Sequence, residues 1–172
     1  MADKKGDPAI RAWSHFLGAN ALALRAIEER LKAANQPPFA WYDVLLELDR
    51  AGGRLRIGEL GLRLVVEPYN VTRLLDRLES EGLLKREQAS GDGRGAFAVL
   101  SEKGAAQRKK MWTHYRRAIL EVFGEALSNR DAEMMTATLK KVIAHLRHTV
   151  EIESPRRARS DIDVERDVER RR

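Results

Sequence analysis

Residues 68–81 combine an apolar stripe with a polar face that could bind nucleic acid. Apolar residues recur at i, i+3, i+4 and i+7 from Val71, which predicts a helix with that side buried. Hydroxyl, amide and guanidinium groups on the other side can donate to base edges and phosphates, and a recognition helix reads the major groove with its N-terminal part. An ordinary solvated helix face is the alternative. The predicted contact residues are Pro68, Tyr69, Asn70, Thr72, Arg73 and Arg77.

Two strand-like segments, "LLKREQ" and "AFAVL", follow this helix, and residues 89–95 with three glycines join them. We predict a protruding loop in which Arg94 reaches the minor groove, where negative potential favours arginine, and Asp92 braces Arg94 by an ion pair. Lys85 and Arg86 are predicted to lie near backbone phosphates, where each contact adds salt-dependent affinity. The alternative is a mobile turn with a stray charge.

The charge balance favours a polyanionic partner. The chain has 32 Lys and Arg against 26 Asp and Glu, for a net charge of +6. Since the chain has no cysteine, disulfides, thiolate metal sites and a cysteine redox sensor are excluded. No apolar run approaches the roughly 18 residues that span a bilayer, and the N-terminus lacks the apolar segment of a secretory signal. We therefore expect a cytoplasmic protein without a membrane partner.

Periodicity and capping residues predict a mostly α fold (α+β class). Asp7 and Pro8 suit a helix start, Gly82 suits a helix end, and Ser101 suits the cap of a long later helix. The predicted order is a helix at 8–35, a helix at 39–50, a short strand at 54–57, a short helix at about 57–64, the helix at 68–81, the two strands, a helix from 101 and a helix from 128.

The run from Arg56 to Gly104 resembles the winged helix-turn-helix core of the MarR family of bacterial regulators. The pieces that carry the resemblance are "GELG", "VTRLLDRLESEGLLKR", "DGR" and "LSEKG", with "WYDVLLEL" upstream. The similarity extends over about residues 8–150. It implies a winged helix-turn-helix with additional N- and C-terminal dimerisation helices, acting as a homodimeric, ligand-responsive repressor on a pseudo-palindromic operator in double-stranded DNA.

The resemblance also implies a division of the chain. One MarR-type domain covers 8–153, with its DNA-binding lobe at about 39–101 and its dimerisation helices at about 8–35 and 102–150. The first helix supports this independently, because its apolar residues have a heptad-like spacing that usually faces another helix. Residues 1–7 are expected to be flexible, and the charged residues 154–172 to form a disordered tail.

Members of this family often release DNA when a small aromatic molecule enters a cleft beside the dimerisation helices. The resemblance therefore implies a small aromatic or phenolic effector, and we expect no other cofactor. Aromatic side chains suit a planar ligand, although ordinary core or interface packing is the alternative for each. The candidate pocket residues are Trp13, His15, Phe16, Trp41, Leu45 and Trp112.

Other kinds of site have weaker support. His145 and His148 could supply half of a metal site, but we interpret them as polar residues near a helix end and expect no metal. The chain has no Gly-rich phosphate loop, "HExxH" or "GxSxG" motif, so we expect no enzyme. A dimeric winged-helix module that binds protein, and an architectural DNA-binding protein without sequence preference, remain as alternatives.

Overall fold

The computed structural model describes residues 7–65, 71–88 and 95–153, and for residues 149–153 it describes the backbone alone. A 3-10 turn at Gly124–Ala126 connects the last two helices. The elements are α1 (Pro8–Ala33), α2 (Phe39–Arg50), β1 (Arg54–Arg56), α3 (Ile57–Arg63), α4 (Val71–Ser80), β2 (Leu84–Gln88), β3 (Ala96–Leu100), α5 (Glu102–Val122) and α6 (Asn129–Glu153). The predicted α+β class and element order are confirmed.

The helix ends follow the predicted capping chemistry. The Asp7 side chain accepts a hydrogen bond from the Ala9 amide at 2.7 Å, and Pro8 occupies the first turn of α1. At the end of α4, Gly82 has a φ of 70°. The amide of Leu83 donates to the Leu78 carbonyl at 2.9 Å, which closes the chain in a Schellman turn. This turn directs the chain from α4 straight into β2.

The small sheet is antiparallel in the order β1-β3-β2. The sequence predicted β1 but not its partner, and the structure pairs Leu55 with Ala98, both of which are buried. Because side chains alternate along a strand, Arg54 and Arg56 lie on the opposite, outer face. The sheet therefore has one face in the core and one face toward solvent.

Two hydrophobic clusters form the core, and α2 contributes to both. Val44, Leu45 and Leu48 pack with residues of α3, α4 and the sheet. Phe39 and Tyr42 pack with residues of α1 and α5. Helix α2 thus joins the lobe that contains the predicted recognition helix to the long helices at the ends of the chain. None of the helices in the described ranges could span a lipid bilayer.

A buried carboxylate connects α2 to the segment before α4. Asp43 is 2% exposed, and its Oδ2 accepts a hydrogen bond from the Val65 amide at 2.8 Å. A buried acceptor of this kind is costly to leave unpaired, so the bond fixes the chain where α3 ends. Val65 is the last residue described before 66–70. The bond therefore fixes the end of α3 relative to α2.

The same carboxylate influences a tyrosine of α5. The ring of Tyr115 lies 5.0 Å from the rings of both Phe39 and Tyr42, measured between centroids. Burial, and secondarily the negative charge of Asp43, raises the pKa of Tyr115 to about 12. The phenol is therefore neutral in the folded protein well above the pH at which an exposed tyrosine ionises.

This shift predicts an alkaline sensitivity of folding. The pKa of Tyr115 is about 12 in the folded protein and 10.0 ordinarily. The neutral phenol therefore contributes its full share of the unfolding free energy below pH 10, and this share is lost as the pH rises toward 12. Relative to wild type, Tyr115→Phe should gain about 2–3 kcal/mol of unfolding free energy across that window. Urea unfolding at several pH values measures the difference, and parallel profiles for the two proteins would contradict a buried, neutral phenol.

Candidate nucleic-acid interface

Helix α4 presents the polar face that the sequence predicted. Leu75 and Leu78 are fully buried in the core, and the side of the helix that carries Thr72, Arg73 and Arg77 is exposed. The apolar stripe fixes the rotation of the helix, since turning it would expose two leucines at a cost of about 1.5–3 kcal/mol each. Pro68, Tyr69 and Asn70, predicted as contacts on the same helix, lie outside the described residues.

Arg86 braces β2 against α4. Its guanidinium Nη2 lies 2.6 Å from the Asp76 carboxylate and donates to the Thr72 carbonyl at 3.1 Å. Its backbone amide donates to the Glu79 carboxylate at 2.8 Å. The sequence predicted a phosphate contact for Arg86, but a phosphate would have to compete with these carboxylates. The structure thus gives Arg86 a positioning role that the sequence did not indicate.

Lys85 lies on the opposite, outer face of β2 and is exposed, as a phosphate contact requires. It pairs across the sheet with Val99 of β3, and Val99 pairs in turn with Arg54 of β1. Asp92 and Arg94, predicted in the protruding loop between β2 and β3, lie outside the described residues. We call β2, β3 and the residues that connect them the wing. Within the described part of the wing, Lys85 is therefore on the same face as a cation of β1.

Two arginines of that face were missed as site candidates from the sequence. The guanidinium carbon of Arg54 lies 3.5 Å from the centroid of the Phe97 ring, and that of Arg56 lies 5.0 Å from it. Arg54 also forms an ion pair with Glu87 at 3.2 Å. The alternation of Arg54, Leu55 and Arg56 was the available signal, because it places both arginines on one side of a strand.

The start of α5 is seated tightly on the turn after α4. The Ser101 hydroxyl donates to the Gly82 carbonyl at 2.7 Å, and the Ser101 amide donates to the Leu83 carbonyl at 3.1 Å. A Cβ atom at Gly104 would collide with that same Leu83 carbonyl oxygen. This close approach explains the glycine that ends the "LSEKG" segment, and it attaches α5 directly to the element that bears the polar face.

The candidate effector residues occupy different settings. Trp13 and Phe16 are 59% and 41% exposed on α1, with their ring centroids 6.1 Å apart. His15 is exposed on another side of α1, since residues two apart in a helix do not face each other, and its Nδ1 lies 2.7 Å from the Arg11 carbonyl oxygen. Trp13 and Phe16 therefore form an open aromatic surface on a single chain, without His15.

The other three candidates lie on α2 and α5, in the interior of the protein. Leu45 is completely buried in the core, and Trp41 is half-buried against both hydrophobic clusters. Trp112 stacks on Tyr42 with ring centroids 6.1 Å apart. Tyr42 was not among the sequence candidates, although its spacing of three from Phe39 places both rings on one side of α2. The structure thus brings Trp112 into an aromatic cluster with Phe39, Tyr42 and Tyr115, apart from Trp13 and Phe16.

Within the described ranges there is no group of three or more His, Asp or Glu side chains that could hold a metal ion. His145 and His148 are exposed on α6. The described residues offer exposed cations and hydrogen-bond donors at α4 and at the outer face of the sheet.

Comparisons with known proteins agree with this geometry. A family model described as MarR family matches residues 36–95. The HTH-type transcriptional regulator YkoM of Bacillus subtilis (strain 168) is 33% identical over 104 residues, which are 60% of this chain and 67% of that protein. The family match therefore includes α2, β1, α3, α4 and β2 of the lobe that contains α4.

Solved structures extend the likeness to the long helices. A mutant MarR from E. coli, complexed with operator DNA, has a TM-score of 0.64 at 26% identity, covering 80% of this chain and 99% of that one. An organohalide-sensing regulator in its 2,4-dichlorophenol-bound form shares the fold, with a TM-score of 0.67 at 21% identity, covering 83% of each chain. From its sequence match and its fold, this chain belongs to the MarR family and is a DNA-binding transcriptional regulator, not an enzyme.

Proposed function

We propose that this protein is a homodimeric, ligand-responsive repressor that binds a pseudo-palindromic operator in double-stranded DNA. The observation that carries the proposal is the exposed polar face of α4, held in a fixed rotation by buried leucines on one side and by Arg86 from β2. A major groove admits one α-helix, and hydroxyl and guanidinium groups suit its base edges and flanking phosphates. Thr72, Arg73 and Arg77 are the described residues that we assign to this contact, and Asn70 is the assigned base reader.

Dimerisation is supported by apolar side chains that the single chain leaves uncovered. On α1, Ile10 is 67% exposed and Trp13 59%, while on α6 Leu146 is 54% exposed and Val142 47%. None of the α6 residues whose burial is described is buried. The first and last helices of the chain thus each expose apolar side chains, which suits packing against the same helices of a second copy. A two-fold axis through these helices would place two α4 helices about 34 Å apart, one turn of B-DNA.

A ligand response is supported by the position of the aromatic cluster. Phe39, Tyr42, Trp112 and Tyr115 lie between the α4 lobe and the long helices. Asp43, which follows Tyr42 in the sequence, accepts a hydrogen bond from the Val65 amide, between α3 and α4 in the chain. A planar ligand that bound here with different affinity in two arrangements of α2 and α5 would shift α4 with them. Trp13 and Phe16 lie apart from this cluster. They would contact the same ligand only from the partner subunit of the dimer or from the solvent-facing side of the site.

Substitutions at α4 test the proposed contacts. Arg77→Ala should weaken binding to operator and random duplex alike and should lower the slope of log affinity against log salt by about 0.9 per phosphate contact. Asn70→Ala should instead reduce discrimination at particular base pairs by about 1–3 kcal/mol. Fluorescence anisotropy with duplexes selected from random sequence measures both effects.

Arg116→Ala, which removes an exposed cation from α5, is the matched control and should retain wild-type affinity. Wild-type binding to random duplex with the affinity of the selected sequence would favour the architectural alternative. A complete lack of duplex binding at low salt would leave the protein-interaction module as the better hypothesis.

Substitution on α6 tests the dimer. Leu146→Glu places a charge in the proposed interface and should convert the dimer to a monomer at micromolar concentration, because an unpaired charge is costly to bury. Ala144→Glu adds the same charge on the opposite side of α6, where the side chain is exposed, and should remain dimeric. Sedimentation equilibrium gives both masses, and a monomeric wild type would refute the proposed assembly.

Titration with 2,4-dichlorophenol and benzoate tests the effector class. The chain has three tryptophans, so Trp13→Phe leaves Trp41 and Trp112 to report on the aromatic cluster. We expect the fluorescence of this variant to be quenched and its operator affinity to fall by the factor by which DNA weakens the ligand, as linkage requires. Quenching that disappears with Trp13→Phe would place the ligand on α1 instead, and probes without effect on fluorescence or DNA binding would refute a phenolic or aromatic-acid effector.

A further inference from the structure

The outer face of the three-stranded sheet carries three cations that the recognition of α4 does not use. Arg54 and Arg56 project from β1 and Lys85 from β2, all exposed, and Glu87 is the acidic residue among them on the paired strands. We call these residues together with Phe97 the outer wing face. Its formal charge is positive, since three cations are opposed by one carboxylate.

The two arginines are held in place, unlike cations on a fully solvated surface. Phe97 pairs with Arg56 across the sheet, and the Arg54 guanidinium carbon lies 3.5 Å and the Arg56 carbon 5.0 Å from its ring centroid. Stacking on an aromatic face leaves the edge N–H groups of a guanidinium directed away from the ring and available to an acceptor. An arginine that is already ordered loses less side-chain entropy when it binds a phosphate.

The location of Arg56 directs this face toward the wing loop. Arg56 pairs with Phe97, and the next pair along β2 and β3, Gln88 with Ala96, is the last before the connecting residues. Gly95 has a φ of 117°, and a Cβ atom there would lie 3.3 Å from the Arg56 Nη1. The Arg56 guanidinium thus lies at the root of the loop that we predict to enter the minor groove.

We propose that the outer wing face is a second nucleic-acid contact, in which Arg54, Arg56 and Lys85 bind the sugar-phosphate backbone beside the groove entered by the wing loop. The inference rests on the proposed function, because it requires that α4 and the wing engage duplex DNA. A row of phosphodiesters is the partner whose charge matches a strip of ordered cations without base-reading amides. The contact adds affinity and salt dependence but no sequence preference.

The test compares charge removal with packing removal on the intact protein. The triple variant Arg54→Gln, Arg56→Gln and Lys85→Gln should bind operator and random duplex more weakly by a common factor, at least about tenfold at moderate salt. Its slope of log affinity against log salt should fall by about 0.9 for each phosphate that the variant no longer neutralises, counted over both wings of a dimer. Anisotropy titrations across a salt series measure both.

Two controls separate charge from stability. Phe97→Leu keeps all three cations and should retain most of the wild-type slope, and Arg116→Gln removes an exposed cation of α5 and should leave affinity and slope unchanged. Thermal unfolding verifies that each variant is folded. A single Arg56→Gln substitution covers the case in which the triple variant does not fold, with a proportionately smaller change in slope.

The outcomes distinguish this inference from the function on which it rests. A wild-type protein that binds no duplex refutes both. A wild type with steep salt dependence, whose slope is unchanged in the triple and single variants, refutes the outer wing face alone. A slope lowered equally by Phe97→Leu would mean that the ring, not the charges, is responsible, and would also overturn the proposal.

Discussion

Burial of helix α2 on more than one side is the constraint on which the other positions depend. A helix that contributed to one core would have a free side and could rotate or slide. Here Val44, Leu45 and Leu48 are fully buried in the lobe that contains α4, while Phe39 and Tyr42 are buried against α1 and α5. Close-packed interfaces have few alternative arrangements. The positions of α1, α5 and the lobe that contains α4 are therefore all fixed relative to α2.

Hydrogen bonds and ion pairs fix the elements around α4 relative to one another. The Asp43 carboxylate fixes the Val65 amide at the end of α3, and Arg86 holds β2 against the exposed side of α4. The Ser101 hydroxyl and the close approach at Gly104 attach α5 to the turn after α4. These contacts join α2 to the end of α3, β2 to α4, and α5 to the turn after α4. The recognition surface is thus positioned from three sides by neighbouring elements.

The two faces of the sheet differ in their surroundings: the inner face packs in the core and the outer face is exposed to solvent. The inner face, with Leu55 and Ala98, completes the core and places Arg86 against α4. The outer face exposes cations ordered on Phe97. Strand alternation alone produces this separation, because neighbouring residues point to opposite sides. A three-residue strand such as β1 can therefore supply both a core leucine and two surface arginines.

The sequence by itself determined the fold class, the order of the elements and the family, because these follow from local signals. Apolar spacing selects the buried side of α4. Asp7 and Ser101 cap the starts of helices, and Gly82 ends one, through bonds to residues only a few positions away. The resemblance of residues 56–104 to the MarR core was correct for the same reason, since its motif is a sequence of such signals. The assigned DNA contacts and effector residues remain predictions.

Tertiary structure alone decided which side chains meet across large separations in sequence. Arg86 has its charge balanced by Asp76 and Glu79 of α4, and Asp43 lies near both Val65 and Tyr115. Arg54 was identifiable as a surface residue of a strand, but its stacking on Phe97 required the pairing of β1 with β3. Periodicity specifies which way a side chain points within its own element. What it points at depends on how the elements pack, and that is a property of the assembled core.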